Sequence, residues 1–330
     1  MALLRCNKCG HLREVANDYI GKSVRCPQCK QVTPIHDTTV FVEKLLEKYL
    51  SQYRELHHLR QQFTIDEGLE FQADEQHALE SIDIYNTTAL TKRGQYEPIL
   101  EWFQQRKIDV GVNQKALDTT GFFDEVALTL GHQYDLLKEV SNKIRHIQQK
   151  GYTNVKLALS KHNQKQIKTI TKFCQELYEY SFVAKYFYQK QAKIIRLTLQ
   201  TAPAIVNFFQ GEWMEWFIMM KLLEFFQKKQ IPAACLRSLS VTFPNEDAHE
   251  LDIFFLLKQR LPLCIECKSG EFRQHIDKYS TLRKRLNIDK TQFLLCVTGL
   301  SQGQTQGLTS MYDVTFVNEK NFLQHVEGLL

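Results

Sequence analysis

The sequence predicts an α+β chain of several domains, and three observations carry that prediction. Two CxxC pairs stand close together near the N-terminus, apolar residues recur at helical spacing from Val40, and after Pro203 helices alternate with apolar strands. The chain has 330 residues, 43% apolar and 24% charged, which is the composition of a globular protein long enough for two or three domains.

Residues 1–37 read as a separate unit. Cys6-Asn-Lys-Cys9-Gly10 and Cys26-Pro-Gln-Cys29-Lys30 are two tight turns with strand-like stretches at Leu12 to Val15 and Lys22 to Arg25 between them. In each turn backbone N–H groups can point at thiolate sulfurs, and two such turns complete a tetrahedral Cys₄ site. Cys6, Cys9, Cys26 and Cys29 are therefore expected to hold a structural Zn²⁺, and Cys6 to Lys30 resembles the zinc-ribbon family. With four protein thiolates no coordination position is left for chemistry.

A helical domain is expected over 38–150. Phe41, Leu45, Tyr49, Tyr53 and Leu56 form a stripe, and further helices are expected over Asp74 to Thr91, Tyr96 to Arg106 and Phe122 to Lys150, the last preceded by Thr119, Thr120 and Gly121. His57, His58, His132 and His146 lack carboxylates at matched spacing and read as surface or packing residues.

A basic β-α-β module, with a winged-helix-like form among its options, is expected over 151–200: strands at Asn154 to Leu159 and Lys193 to Leu199 around a helix from Gln164 to Phe187. Net charge is only +5, but Lys138 to Gln200 holds 13 of the 42 Lys and Arg and three of the 37 acids, so the rest of the chain is net acidic. Such a surface suits phosphate backbones, because neutralised phosphates release counterions; a solvated lysine-rich face is the alternative. Lys165, Lys168 and Lys172 near Tyr178, Tyr180, Tyr186 and Tyr188 could grip a nucleic-acid strand, although half-buried packing suits the tyrosines better.

From Pro203 the order is helix (Ala204 to Lys229), three strands (Leu236 to Phe243, Leu251 to Leu257, Pro262 to Lys268), helix (His275 to Leu286), two strands (Gln292 to Thr298, Val314 to Asn318) and helix (Lys320 to Leu329), with Ser301 to Gly307 a polar loop. In an extended chain Glu266 and Lys268 share one face while Ile265 and Cys267 take the other. With Asp252 on a paired strand, two carboxylates converge and call for a hard divalent cation. Glu212 and Glu215 interrupt the Trp213, Trp216, Phe217 and Met220 stripe, and a carboxylate there needs a partner. Cys264 and Cys267 face opposite sides of their strand, which argues against a second zinc. Gln274 and Tyr279 are open between substrate contact and surface.

The domain expected over 201–330 resembles, on residues 203–330, the PD-(D/E)xK nuclease superfamily, and within it the nuclease domains of CRISPR ancillary nucleases activated by cyclic oligoadenylate. The matching stretches are Gly211-Glu-Trp213-Met-Glu215, Glu250-Leu-Asp252 and Ile265-Glu266-Cys-Lys268-Ser-Gly270. The resemblance implies a restriction-endonuclease-like α/β core and an Mg²⁺- or Mn²⁺-dependent endonuclease. Asp252, Glu266 and the Cys267 carbonyl would be ligands, and Glu215 would reach the ion, its water or a second ion. Lys268 would orient or deprotonate the attacking water and stabilise charge on phosphorus. It also implies nucleic acid as partner, a homodimer as one assembly, and an association with prokaryotic antiviral defence. Activation by cyclic oligoadenylate is not carried over: His249 stands where the relatives usually have Asn, and the N-terminal half shows no clear βαβαβ run.

The absence of an apolar leader in Met-Ala-Leu-Leu-Arg-Cys, the odd count of nine cysteines and the charges within Ala204 to Phe226 favour a cytoplasmic protein without a membrane span. Two other functions stay open: a non-catalytic nucleic-acid-binding protein retaining the nuclease fold, and a zinc-ribbon scaffold recruiting a protein partner.

Overall fold

The computed structural model describes residues 2–6, 8–38, 93–113, 116, 122–244 and 248–330. The helices expected over 41–56 and 74–91, His57 and His58, and the capping stretch 119–121 lie outside the described residues. The chain divides into two units, Met1–Ala73 and Asp74–Leu330.

In the first unit β1 (Ala2–Arg5), β2 (Leu12–Val15), β3 (Ser23–Arg25) and β4 (Val32–Asp37) form an antiparallel sheet in the order β2-β1-β4-β3. Its buried apolar cluster is Ala2, Leu4 and Ile35, with Val15 and Val24 against it. A core this small needs an additional staple to stay folded.

Among the described residues the second unit begins with α1 (Arg93–Gln104) and β5 (Asp109–Gly111), followed by α2 (Phe123–His132) and α3 (Tyr134–Gln149). Then come β6 (Asn154–Ala158), α4 (Gln164–Glu179), β7 (Val183–Gln189) and β8 (Ile194–Leu199), the strands forming a sheet in the order β6-β8-β7. The C-terminal part holds α5 (Pro203–Asn207), α6 (Trp213–Lys228), β9 (Ala233–Thr242), β10 (Ala248–Leu257), β11 (Leu261–Lys268), α7 (Ile276–Leu286), β12 (Phe293–Val297), α8 (Gln302–Met311), β13 (Thr315–Val317) and α9 (Phe322–Glu327). The main sheet has the order β13-β12-β11-β10-β9-β5, antiparallel from β5 to β11 and parallel from β11 to β13. The chain is thus mixed α+β, with several sheets and a four-cysteine cluster near its start.

One hydrophobic core runs from Tyr96 to Val326, across positions 150 and 200 where domain limits are expected, and β5 joins the sheet built by the last third of the chain. The central helix α6 buries Trp213, Met214, Trp216 to Met220, Leu222, Leu223 and Phe226, which is apolar on every side. A helix of that kind must be enclosed. Gly131 of α2 makes the close approach: a Cβ there would sit 2.3 Å from Cδ2 of Phe217 on α6.

Four elements differ from expectation. The helix expected over 122–150 breaks at Gln133 (φ −123°, ψ 30°), so α2 can face α6 while α3 meets β6 and the turn at 208–212. The helix expected to reach Phe187 ends at Glu179 in a Schellman turn: Phe182 N donates to the Leu177 carbonyl (2.8 Å), Ser181 N to that of Tyr178 (3.1 Å), and Ser181 is left-handed (φ 62°). A serine takes the place usually held by glycine, which hides the stop; residues 183–189 become β7, and the module is β-α-β-β. The polar loop expected at 301–307 begins α8. Ser301 and Gln304 form a capping box that offsets a glycine-rich first turn. Finally, the helix expected over 204–229 is interrupted by a π-helical turn, Phe208–Glu212, with non-helical backbone at Gly211.

Candidate active site

The register of β10 and β11 pairs Ile253 with Ile265, so the next step brings Asp252 opposite Glu266. Both side chains are sheltered, Glu266 at 2% exposure. Asp252 Oδ2 accepts from Cys267 N (2.7 Å) and from Lys268 Nζ (3.0 Å), and Lys268 Nζ lies 3.5 Å from Glu266 Oε2. Glu266 Oε1 is 3.4 Å from Asp252 N. One ammonium therefore lies between two carboxylates on neighbouring strands, and Glu266 and Lys268 share a face as the alternation requires. Lys268 Nζ also lies 5.5 Å from the ring centre of buried Tyr279 on α7.

The break at Gly211 starts α6 beside the loop that follows β11: a Cβ on Gly211 would be 3.5 Å from Ser269 Oγ. Glu212 then stands at the N-cap of α6 and Glu215 on its first turn. An open cleft of about 430 Å³ is lined by Glu212, Glu215, Lys268, Gly270 and Gln210, together with Arg145 from α3.

Arg237 on β9, which the sequence reading did not single out, is 5% exposed. Its Nη1 donates to Glu215 Oε2 (2.8 Å), its Nε to the Ala116 carbonyl (2.7 Å), and its guanidinium lies 4.2 Å from the Trp216 ring centre. It is the partner that a carboxylate on the apolar face of α6 demands, but a lone Arg in an apolar strand gives no pairing signal. The next residue, Ser238, lies opposite Asp252 and is left-handed (φ 50°), a conformation that costs a non-glycine residue about 1 kcal/mol or more.

Burial, then the charge of Asp252, pushes both Glu215 and Glu266 up to about 8. Burial likewise raises Glu212, with Arg237 opposing it. For Lys268 burial works against the charge, yet Asp252 and Glu266 outweigh it and raise the group. The site carries four carboxylates, Glu212, Glu215, Asp252 and Glu266, against three cations, Arg145, Arg237 and Lys268.

The oxygen donors of Asp252 and Glu266 fit a hard cation such as Mg²⁺ or Mn²⁺ in ligand type. Glu215 was expected to meet them around one ion. Among the described residues the one group of three or more His, Cys, Asp or Glu with ligand atoms all within 4.8 Å is the four-cysteine set, and Glu215, Asp252 and Glu266 do not form another. Glu215 instead follows the buried guanidinium of Arg237, which needs a counter-charge.

In the first unit the Sγ atoms of Cys6 and Cys29 are 3.4 Å apart and those of Cys9 and Cys26 3.6 Å. Four thiolates about 2.3 Å from zinc would stand about 3.8 Å apart, so the cluster could hold Zn²⁺. The two turns repeat each other: Cys6 N bonds the His11 carbonyl and Gly10 N that of Cys6, as Cys26 N bonds Gln31 and Lys30 N bonds Cys26. Gly10 and Lys30 are both left-handed. Backbone N–H groups of Cys9 and Lys8 hold the Cys6 thiol down to about 6, and that of Cys29 lowers Cys26. Cys264 and Cys267 are both buried in the main sheet.

No known protein family matches the chain, and no curated protein does. Among solved structures, protein VC1899 from Vibrio cholerae is similar at 14% identity and a TM-score of 0.46. Can2 from Sulfobacillus thermosulfidooxidans, in complex with cyclic tetra-adenylate, is similar at 12% identity and 0.48. Each match covers 70% of this chain and 60% of the other, so the chain spans about three fifths of their length. No helix among the described residues is long and apolar enough to cross a membrane.

Proposed function

We propose that the chain is a nuclease of the PD-(D/E)xK type that hydrolyses phosphodiester bonds of nucleic acid with Mg²⁺ or Mn²⁺. The observation that carries this reading is the opposition of Asp252 and Glu266 across β10 and β11 with Lys268 Nζ within 3.5 Å of both. Asp252, Glu266 and the Cys267 carbonyl would hold the cation, which when bound supplies Lewis-acid stabilisation of the phosphoryl oxygens. Lys268, which lines the cleft, is placed to orient a water or to stabilise negative charge developing on phosphorus. Glu215, tied to Arg237, borders the same cleft and would bind toward the water side of the cation or a second ion. Arg145 offers a cation to a substrate phosphate. The four cysteines would hold zinc as a structural element of a ribbon, in a cytoplasmic protein.

Purified protein incubated with single- and double-stranded DNA and RNA, with and without Mg²⁺ or Mn²⁺, should cleave at least one substrate only with the cation. Lys268→Ala should lower the rate about 100- to 1000-fold, the scale of removing one electrostatic stabiliser, and Glu266→Ala should remove cleavage. Cleavage that survives both substitutions refutes the assignment.

A further inference from the structure

The strands β6, β8 and β7 bury one face, which carries Val155, Leu157, Ile195 and Leu197, with α3 against β6 and α4 against β7, and leave the other to solvent. Directly opposed residues share a face, so the open side reads across the sheet as Asn154-Thr198-Lys185, then Lys156-Arg196-Phe187, then Ala158-Ile194-Gln189. A bulge between Val183 and Lys185 sets this arrangement. The extra residue turns Lys185 and Phe187 outward and Tyr186 and Tyr188 onto the core. The tyrosines considered for strand binding are therefore partly buried, and a phenylalanine stands out instead.

Phe187 is 60% exposed at the centre of that face. Beside it are the exposed cations Lys156, Lys185 and Arg196, none of which makes an ion pair with another described residue, and no acid occurs at the nine positions. Tyr152, 65% exposed, precedes β6 by two residues where Leu199 N still bonds the Thr153 carbonyl, which extends the alternation onto the same face. An open antiparallel face with an unshielded ring among uncompensated cations has the two parts that single strands require, a platform for an unpaired base and charges for the flanking phosphates. A duplex keeps its bases stacked on one another and gives the ring nothing to cover.

We infer that this face is a binding site for single-stranded nucleic acid, with Phe187 the stacking platform and Lys156, Lys185 and Arg196 the phosphate contacts. The inference rests on the sheet alone and stands or falls apart from the cleavage reading.

The test uses the full chain with no added Mg²⁺ or Mn²⁺, so binding is read without cleavage. Anisotropy of fluorescein-labelled oligothymidine and oligouridine about 15 nucleotides long, within the span such sites cover, should show binding. Phe187→Ala should weaken it about 5- to 150-fold, the range of losing one base stack, and Phe187→Trp should keep it. Lys156→Gln with Arg196→Gln should flatten the slope of log affinity against log salt by about 1.4, about 0.7 per contact on a single strand. Thermal melting checks that the variants stay folded, as substitutions of exposed side chains should. Absence of binding, equal affinity of Phe187→Ala and the parent, or a duplex of matched length binding as tightly as the single strand would each overturn the inference.

Discussion

Arg237→Met probes what holds the candidate active site together. The guanidinium is 5% exposed and ties β9 to two other parts of the second unit, α6 through Glu215 and the face of Trp216, and the carbonyl of Ala116. At pH values above about 8, where Glu215 is ionised, removing Arg237 leaves its charge sheltered beside that of Asp252 with no counter-ion, and breaking a buried pair from one side costs about 3–5 kcal/mol. Loss of the cation over Trp216 contributes about 1–2 kcal/mol of that, partly offset by the apolar contacts of methionine. Removing the orphaned charge as well should recover much of it. The double variant Arg237→Met with Glu215→Gln is expected to be about 2 kcal/mol more stable than the sum of the single changes. Urea unfolding followed by tryptophan fluorescence measures this, because the three tryptophans, Trp102, Trp213 and Trp216, all belong to the second unit and report on it alone. If the single changes add to within about 0.5 kcal/mol, the ion pair is not the link that couples β9 to α6.

Gly131→Ala should destabilise the second unit by about 1–3 kcal/mol, because the new methyl meets the buried ring of Phe217; adding Phe217→Leu should restore part of the loss in the same urea measurement. Asp124, buried in the first turn of α2, is pushed up to about 6 by burial, with the charge of Glu125 adding to it. Its folded value lies above its unfolded one, so the penalty for ionising it is absent below about pH 4, grows to about pH 6 and is complete above, at most about 3 kcal/mol. Asp124→Asn should therefore raise the melting temperature near pH 7.5 and lose that advantage near pH 4; an advantage independent of pH would exclude the ionisation as its source. Elemental analysis should find one zinc per chain, and Cys26→Ser should lower that content and expose residues 1–38 to protease.

What could be read in advance was whatever a local spacing encodes. Two CxxC pairs bring four thiols together by short-range turns, and the alternation Glu266, Cys267, Lys268 puts carboxylate and ammonium on one face in any strand. Stops and starts that depend on a single capping bond were lost: Ser181 ends α4 in a conformation its side chain does not advertise, and Ser301 with Gln304 starts a helix in a stretch whose glycines suggest a loop. Arg237 and the outward turn of Phe187 lay further out of reach, since each depends on which residues a distant segment places opposite.

The amino-acid order alone thus determined the two CxxC turns, the apolar strands of the last third, and the approach of Asp252 to Glu266 once β10 and β11 pair. Only tertiary packing decided that β5 joins that sheet, that Glu215 goes to Arg237 rather than to the other two carboxylates, and that a bulge at Ala184 exposes Phe187. The reason is that periodicity fixes which way a side chain leaves its own backbone, whereas its partner is chosen by desolvation and register across elements far apart in the chain.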